Sequence, residues 1–352
     1  MINLIKILKV VSLREKTAAM NKKRYIITSV ICDTLAAVVI LLSFCYFHHV
    51  KKMTDSDGNG GVIVGGASNA GGDSADVAVN DFSDTLPDVF LDEGKVESGD
   101  GYYRSHNINL TVTEVIEKVD DYVARYIVYD VYVRQLENLF TVASTERVAF
   151  TELVDAAGDP IAAISGDFWG NATYVAVRNG EILTTNVKIE NDICVMYRDG
   201  TMEIVSPYKY TSDYFDGKDV YQIWDFGPSL LDEDGKAFGE DDFDDYSDIT
   251  SRNPRSSIGY YEPGHYVFIV ADGRLDIEFE GEKVYSKGIR MHDFADIYEK
   301  LGVRLAYNLD GGDSAFAYFD EKILRQDYER ATEPGATPRK IYDIIVVVEV
   351  NK

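Results

Sequence analysis

Residues 194–205 read CVMYRDGTMEIV, in which two runs of strand-forming residues flank the pair Asp199-Gly200. Residues 174–185, YVAVRNGEILTT, repeat this arrangement around Asn179-Gly180. An Asp-Gly or Asn-Gly pair between two such runs is the strongest short-range signal for a tight β-hairpin. Because hairpins join antiparallel strands, these two stretches argue against a doubly wound parallel sheet.

On either side of the hairpins, the chain alternates further predicted strands with a few short helices. Apolar residues recur at near-helical spacing from Met291 to Leu301, and Gly302 supplies a helix stop. Strands are predicted over 123–133, 161–164, 265–275 and 341–350, and helices over 146–157 and 291–301. We therefore predict an α+β fold, a single mixed α/β domain with several β-hairpins, over residues 102–352.

The composition of the 352-residue chain narrows the function classes. Its 35 Lys and Arg against 60 Asp and Glu give a formal net charge of -25, which repels phosphate backbones and argues against nucleic-acid binding. The hydrophobic content of 45% is enough for a full core. Three cysteines and five scattered histidines provide neither a disulfide framework nor a metal-binding motif.

The N-terminal part of the chain predicts a membrane anchor. Residues 25–47 are almost entirely apolar and match the length of a bilayer-spanning helix, and the basic segment 1–24 predicts a cytoplasmic N-terminus. A cleaved signal peptide is the alternative, but no small-x-small cleavage site follows the apolar run. Residues 48–101, rich in Gly, Asp, Asn and Ser, are predicted to be a flexible acidic linker. The sequence thus predicts a single-pass protein of the cell membrane, in contact with the lipid bilayer through 25–47, with its domain outside the cell.

Polar residues and glycines gather at three loops beside predicted strands. A polar residue at a strand end next to glycines lies where the backbone can approach a ligand closely. The loops are ISGDFWGN at 164–171, NPRSSIG at 253–259 before a strand that ends in Asp272-Gly273-Arg274, and YNLDGGDS at 307–314. One Asp-Gly pair is usually only a turn, but three loops that carry carboxylates and two arginines favour a ligand site.

These motifs, in this order, resemble those of the phosphodiester glycosidase family, and the resemblance covers residues 105–350. The family has an Asn-Pro-Arg loop, a strand that ends in Asp-Gly-Arg and an Asn-Leu-Asp-Gly-Gly loop, matched at 253–255, 272–274 and 308–312. Two further family motifs are matched by SGDFW at 165–169 and FGP at 226–228. The resemblance implies an enzyme that hydrolyses sugar-1-phosphodiesters in cell-surface or exopolysaccharide metabolism, with a carbohydrate phosphodiester or cell-surface polysaccharide as partner.

The resemblance also implies a set of site residues and no cofactor. The catalytic candidates are Asp310, Asp272 and Asp167, with the roles of acid, base and nucleophile left open among them. Arginines suit bidentate phosphate recognition. The substrate-binding candidates are Arg255, Arg274, Asn308, Gly311, Gly312, Ser165, Gly166 and Trp169. The enzyme hypothesis requires Arg255, Asp272 and Asp310 to converge in one pocket.

The chain departs from the family pattern at four positions. Ser165 stands for Asn, Asp313 for the third Gly, and Ala315-Phe316 for a Ser-Thr pair. A carboxylate at residue 313 would oppose a phosphate bound to the glycine loop. The alternative hypothesis is therefore a catalytically degenerate module that binds or assembles polysaccharide. A third hypothesis, an adhesion ectodomain, leaves Arg255 and the Asp310 loop unexplained.

The acidic stretch 232–248 carries no predicted function. A block of like charges is usually a solvated loop. A structural calcium ion bound to its carboxylates is the alternative, without further support in the sequence.

Overall fold

The computed structural model describes residues 62–64, 80–168, 175–184, 189–211, 213–246, 250–326 and 337–350. Four predictions fall outside these ranges wholly or in large part: the cytoplasmic segment 1–24, the membrane anchor at 25–47, most of the linker 48–101 and the role of Trp169. Within them, no helix combines the length and the apolar character that a membrane crossing requires.

The described residues form two α-helices and twenty β-strands. The helices are α1 Phe150–Ala157 and α2 Met291–Leu301. The strands are β1 Val62–Val64, β2 Glu97–Gly99, β3 Tyr102–Arg104, β4 Ile108–Val119, β5 Tyr122–Val133, β6 Leu139–Val148, β7 Ala162–Ser165, β8 Ala176–Arg178, β9 Glu181–Thr184, β10 Ile193–Tyr197, β11 Met202–Val205, β12 Val220–Trp224, β13 Arg255–Glu262, β14 His265–Ala271, β15 Leu275–Phe279, β16 Glu282–Ser286, β17 Leu305–Leu309, β18 Ala317–Phe319, β19 Lys322–Arg325 and β20 Ile341–Val347.

The fold is mostly β, so the predicted α+β class is wrong. The helix predicted over 146–157 begins only at Phe150, because the preceding residues belong to β6, which pairs with β20. With α2 the described residues thus contain only 8- and 11-residue α-helices. Antiparallel neighbours are joined by tight turns and need no helical crossover, so the helices remain few.

Both predicted hairpins are confirmed. Asn179-Gly180 joins β8 to β9, and Asp199-Gly200 joins β10 to β11. Asn179, Gly180 and Gly200 all adopt positive φ, the backbone conformation that such turns need.

The strands form four antiparallel sheets. Their strand orders are β1-β6-β20-β7-β18-β19, β11-β10-β12-β8-β9, β17-β13-β14-β5-β4-β3-β2 and β15-β16. The six- and seven-stranded sheets share one hydrophobic core, and helix α2 covers the opposite face of the seven-stranded sheet.

Strand β14 illustrates how the sequence builds these two layers. Tyr266 and Phe268 point into the shared core, whereas Val267 and Ile269 pack with residues of α2. Successive side chains of a strand face opposite sides, so a strand buried on both faces is a continuous apolar run.

The folded unit begins before residue 102, the boundary predicted from the sequence. Phe82 and Leu86 are buried in the shared core, and β2 pairs with β3. Val89 and Phe90 also pack against this core, so apolar side chains attach residues 80–101 to the domain.

Candidate active site

The three loops singled out in the sequence meet at the ends of their strands. The amide of Asp310 donates to the Gly166 carbonyl over 3.0 Å, and the Gly312 amide donates to Pro254 over 2.8 Å. Their proximity follows from strand order, because β17 pairs with β13 while β18 pairs with β7.

Asp310 directly follows β17 and is 9% exposed. Burial raises the pKa of its carboxyl to about 6, and the neighbouring Asp167 acts in the same direction. The Ser314 hydroxyl and the guanidinium groups of Arg339 and Arg147 oppose this rise. Asp310 is thus a carboxylate poised to change its protonation state close to neutral pH.

Asp167 is held beside Asp310 by a buried arginine. The Arg178 Nη2 lies 2.5 Å from Asp167 Oδ1 and 2.7 Å from Asp343 Oδ2, and all three side chains are almost fully buried. The Arg178 Nε also donates to Asp343 Oδ2 over 2.8 Å. One guanidinium therefore bridges two buried carboxyl groups, and burial still raises the pKa of Asp343 well above its ordinary value.

Asp225 completes the group, which we call the acid cluster: Asp167, Asp225, Asp310 and Asp343. The Asp225 amide donates to Asp167 Oδ2 over 2.9 Å. Burial raises the pKa of the Asp225 carboxyl to about 7, although its Oδ2 accepts the Val175 amide. Asp310 is the most exposed member at 9%, against 3% for Asp167.

Asp272, the third predicted catalytic residue, lies among other neighbours. Its Oδ2 is 2.5 Å from Arg125 Nη1 and its Oδ1 is 3.2 Å from Arg325 Nε. Burial raises the pKa of its carboxyl to about 6 in spite of these arginines. Of the three predicted acids, Asp167 and Asp310 belong to the acid cluster, whereas Asp272 joins strands β5, β14 and β19. The convergence of Arg255, Asp272 and Asp310 in one pocket therefore stays a prediction.

The two predicted phosphate-binding arginines are engaged within the protein. Arg255 is buried, and its guanidinium donates to the carbonyls of Ile289 at 3.0 Å and Ser251 at 2.7 Å. Burial lowers the pKa of Arg255 to about 10. Arg274 forms an ion pair with Asp313 and donates to Asn253 Oδ1 at 3.2 Å.

The glycines of the predicted site lie where backbone and side chain approach closely. A Cβ at Gly166 would meet Asp343 Oδ1 at 2.3 Å, and one at Gly311 would meet the Pro254 carbonyl at 2.7 Å. Gly312 has a φ of +60°, which favours glycine. These positions fix the path of the loops around the acid cluster.

The predicted polar residues Asn308 and Ser165 hold neighbouring segments. Asn308 Nδ2 donates to the Gly227 carbonyl at 2.8 Å, which links the FGP motif to β17. The Ser165 hydroxyl donates to the Ser314 carbonyl and accepts the Phe316 amide at 2.7 Å. Phe316 also stacks on Phe150 with ring centroids 4.8 Å apart. Ser165 and Phe316, two departures from the family pattern, therefore stabilise the fold around the loop.

Four charged residues of this region carry no motif in the sequence: Arg178, Asp343, Arg147 and Arg339. Asp343 could have been found from the sequence, because it is an acidic residue inside the apolar run of β20. The Arg147 Cζ lies 4.4 Å from the ring centroid of Phe168 and 5.4 Å from that of Tyr342.

A cavity of about 610 Å³ lies elsewhere, against the five-stranded sheet. Its lining includes Lys218 and Glu203, which pair with each other, and no member of the acid cluster. Among the described residues, no group of three or more His, Cys, Asp and Glu is arranged to hold a metal ion.

Comparison with known proteins agrees with the motif pattern. The sequence profile of the phosphodiester glycosidase family matches residues 158–348. The catalytic domain of zebrafish N-acetylglucosamine-1-phosphodiester alpha-N-acetylglucosaminidase, auto-inhibited by its pro-peptide, superposes with a TM-score of 0.55 at 14% identity, covering 73% of this chain and 88% of that one. A hypothetical protein from Synechocystis gives a TM-score of 0.45 at 11% identity, over 72% of this chain and 71% of that one. No curated protein matches the sequence.

Proposed function

The chain belongs to the phosphodiester glycosidase family, and we propose that it hydrolyses the bond between the anomeric carbon and the phosphate of a sugar-1-phosphodiester. The observation that carries the proposal is Asp310, a buried carboxylate with a pKa of about 6 on the loop that bears the family's Asn-Leu-Asp-Gly-Gly motif. A general base works best when its pKa lies near the working pH, and burial moves Asp310 toward that value.

In the proposed reaction, water attacks the anomeric carbon and Asp310 accepts the proton of that water. A bond forms between the water oxygen and the carbon. The bond from the carbon to the phosphate oxygen breaks, and the phosphomonoester leaves with the electron pair. Because this leaving group is a stable anion, it requires little protonation, and stabilisation of its charge matters more.

Asp167 and Asp272 have different roles in this proposal. Both oxygens of Asp167 are held, one by Arg178 and one by the Asp225 amide, so Asp167 supplies a fixed negative charge beside the oxocarbenium-like sugar. Asp272 is a positioning residue. It pairs with Arg325, whose guanidinium donates to the Ala315 carbonyl at the end of the Asp310 loop.

Asp310→Asn tests the proposal, because it removes the charge and keeps the size of the side chain. In the purified full chain, we expect release of sugar from an aryl sugar-1-phosphodiester to fall by about 100-fold or more. The matched control is Asp276→Asn, which breaks an exposed pair with Lys283 and should leave turnover unchanged. Wild-type turnover by the Asp310→Asn protein would exclude Asp310 as the base.

The alternative is a catalytically degenerate module that binds polysaccharide, and the Arg274–Asp313 ion pair favours it. Asp313 neutralises an arginine that an active family member would direct at phosphate. Under this alternative the wild-type chain binds cell-surface polysaccharide but releases no sugar from any member of a panel of sugar-1-phosphodiesters.

Anchoring in the cell membrane through residues 25–47, a location outside the cell and a role in exopolysaccharide metabolism stay predictions from the sequence. The basic segment 1–24 and the apolar run that follows it support the first two. Removal of the domain by protease added to intact cells would support this topology, and complete protection would exclude it.

A further inference from the structure

We propose that Arg147 and Arg339 together bind the substrate phosphate, an inference that rests on the proposed sugar-1-phosphodiester hydrolase activity. Neither residue belongs to the family motifs in the sequence. They take the role that the sequence analysis gave to Arg255 and Arg274, whose guanidinium groups contact main-chain carbonyls and Asp313.

Arg147 and Arg339 lie at the same end of one sheet. Arg147 is the penultimate residue of β6, and Arg339 lies two residues before the first residue of β20. These strands are antiparallel, and Val148 is the register partner of Ile341. The ladder therefore brings both arginines to the same end of the six-stranded sheet. That end adjoins the acid cluster, because Ile344 of β20 is the register partner of Ser165, two residues before Asp167. In agreement with this position, both guanidinium groups act electrostatically on Asp310.

Both guanidinium groups can donate hydrogen bonds to a ligand. Neither forms a hydrogen bond or an ion pair with a described residue, and Arg339 Nε is buried without a partner. A buried donor without an acceptor costs free energy, and this cost disappears when a ligand supplies the missing oxygen. In a chain with a net charge of -25, a local pair of cations is also what an anionic substrate requires.

Two aromatic rings hold Arg147 in place. Its Cζ lies over the ring of Phe168, the residue after Asp167, and near that of Tyr342, the residue before Asp343. Arginine can bind two phosphate oxygens through its fork of N–H groups while an aromatic face supports the cation. The aromatic pair thus holds the cation beside two members of the acid cluster. This arrangement would place the departing phosphate next to the carboxylate that activates water.

The test measures phosphate binding and turnover separately. Binding of inorganic phosphate to the full chain is followed by calorimetry for the wild type, Arg147→Gln, Arg339→Gln and the double variant. The matched control is Arg198→Gln, which removes an arginine that lies over Tyr221 in another sheet, with Cζ 5.3 Å from the ring centroid. We expect each single variant to weaken phosphate binding by about 10- to 100-fold, the double variant to abolish it, and the control to bind as the wild type does.

Turnover supplies the second readout. If the wild type is active, kcat/KM for the phosphodiester should fall in both single variants. Hydrolysis of the aryl glycoside of the same sugar, which lacks phosphate, should be unaffected. Phosphate binding that is absent in the wild type, or equal in the wild type and the double variant, would overturn the inference. The wild-type chain could release no sugar while its variants still lose phosphate binding. That result would support phosphate binding by the two arginines and reject the hydrolase proposal, so the two failures are distinguishable.

Discussion

Burial gives Asp310 its proton affinity and also a cost in stability. Its carboxyl has a pKa of about 6 in the folded protein, against an ordinary value of 3.8. The folded state therefore holds a proton more tightly than the unfolded state. For such a group, the free energy of unfolding falls as the pH rises from the ordinary pKa to the folded-state pKa. At neutral pH the buried carboxylate of Asp310 therefore lowers the free energy of unfolding, although the same burial gives it the proton affinity of a general base.

Asp310→Asn should therefore stabilise the fold at pH 7 while it removes activity. The asparagine cannot ionise, so the variant should gain about 1 to 3 kcal/mol over the wild type as the pH rises through the interval from 3.8 to about 6. Below that interval the two proteins should be equally stable. Urea unfolding at pH 4 and pH 7 measures the difference. A difference independent of pH would mean that Asp310 has no raised pKa in the folded state.

At the scale of strands and loops, the sequence predicted individual hairpins better than it predicted which distant strands pair with each other. The hairpins at Asn179-Gly180 and Asp199-Gly200 are encoded by neighbouring residues, and they form as predicted. Loop motifs likewise predicted Asp167 and Asp310 as site residues, and the fold brings their loops together, since the Asp310 amide donates to the Gly166 carbonyl. The predicted fold class was wrong although both predicted helices form, because the sequence indicated only some of the twenty strands. Pairing between strands that are distant in the chain makes the fold mostly β.

The residues that the motifs missed are those placed by long-range register. Arg178 and Asp343 are 165 positions apart in the chain and meet because β8 and β20 belong to adjoining sheets. Arg147 and Arg339 are brought together by the β6–β20 ladder. No local pattern specifies such pairs, so only the three-dimensional structure identifies them.

Gly166 tests how tightly the strand ends are packed at the site. A Cβ there would meet Asp343 Oδ1 at 2.3 Å, and Arg178 prevents Asp343 from moving aside. Gly166→Ala should therefore destabilise the fold by about 1 to 3 kcal/mol and displace the loop that carries Asp167.

The matched control is Gly239→Ala, where the nearest atom would be 3.6 Å from the new Cβ, an ordinary contact distance. Chemical denaturation of both variants gives the comparison. Equal stability of the two would mean that the Asp343 carboxylate can shift and that the site is looser than its contacts indicate.

At the scale of the whole molecule, the site is a junction of the three large sheets. Asp167 and Asp343 come from the six-stranded sheet, Arg178 and Asp225 from the five-stranded sheet, and Asp310 from the seven-stranded sheet. Arg178 connects the first two, because it donates to Asp343 and also to the Ile223 carbonyl of β12. Arg178, which balances the charge of the acid cluster, therefore also connects the six-stranded sheet to the five-stranded sheet.

Replacing Arg178 should accordingly affect global stability as well as the site. Arg178→Met keeps much of the side-chain volume but leaves Asp167 and Asp343 buried without their cation, which should cost about 3 to 5 kcal/mol at pH 7. Burial already raises the pKa of Asp343 well above its ordinary value while the Arg178 guanidinium opposes the rise, and removal of the guanidinium should raise this pKa further. The loss should therefore shrink as the pH falls and the Asp343 carboxyl becomes protonated. The control is Arg198→Met, which breaks an exposed pair with Asp219 and should cost no more than about 1 kcal/mol. Urea unfolding of both variants at pH 7 and pH 4 makes the measurement. A loss for Arg178→Met that matches the control, or that stays constant with pH, would show that the acid cluster does not depend on this arginine.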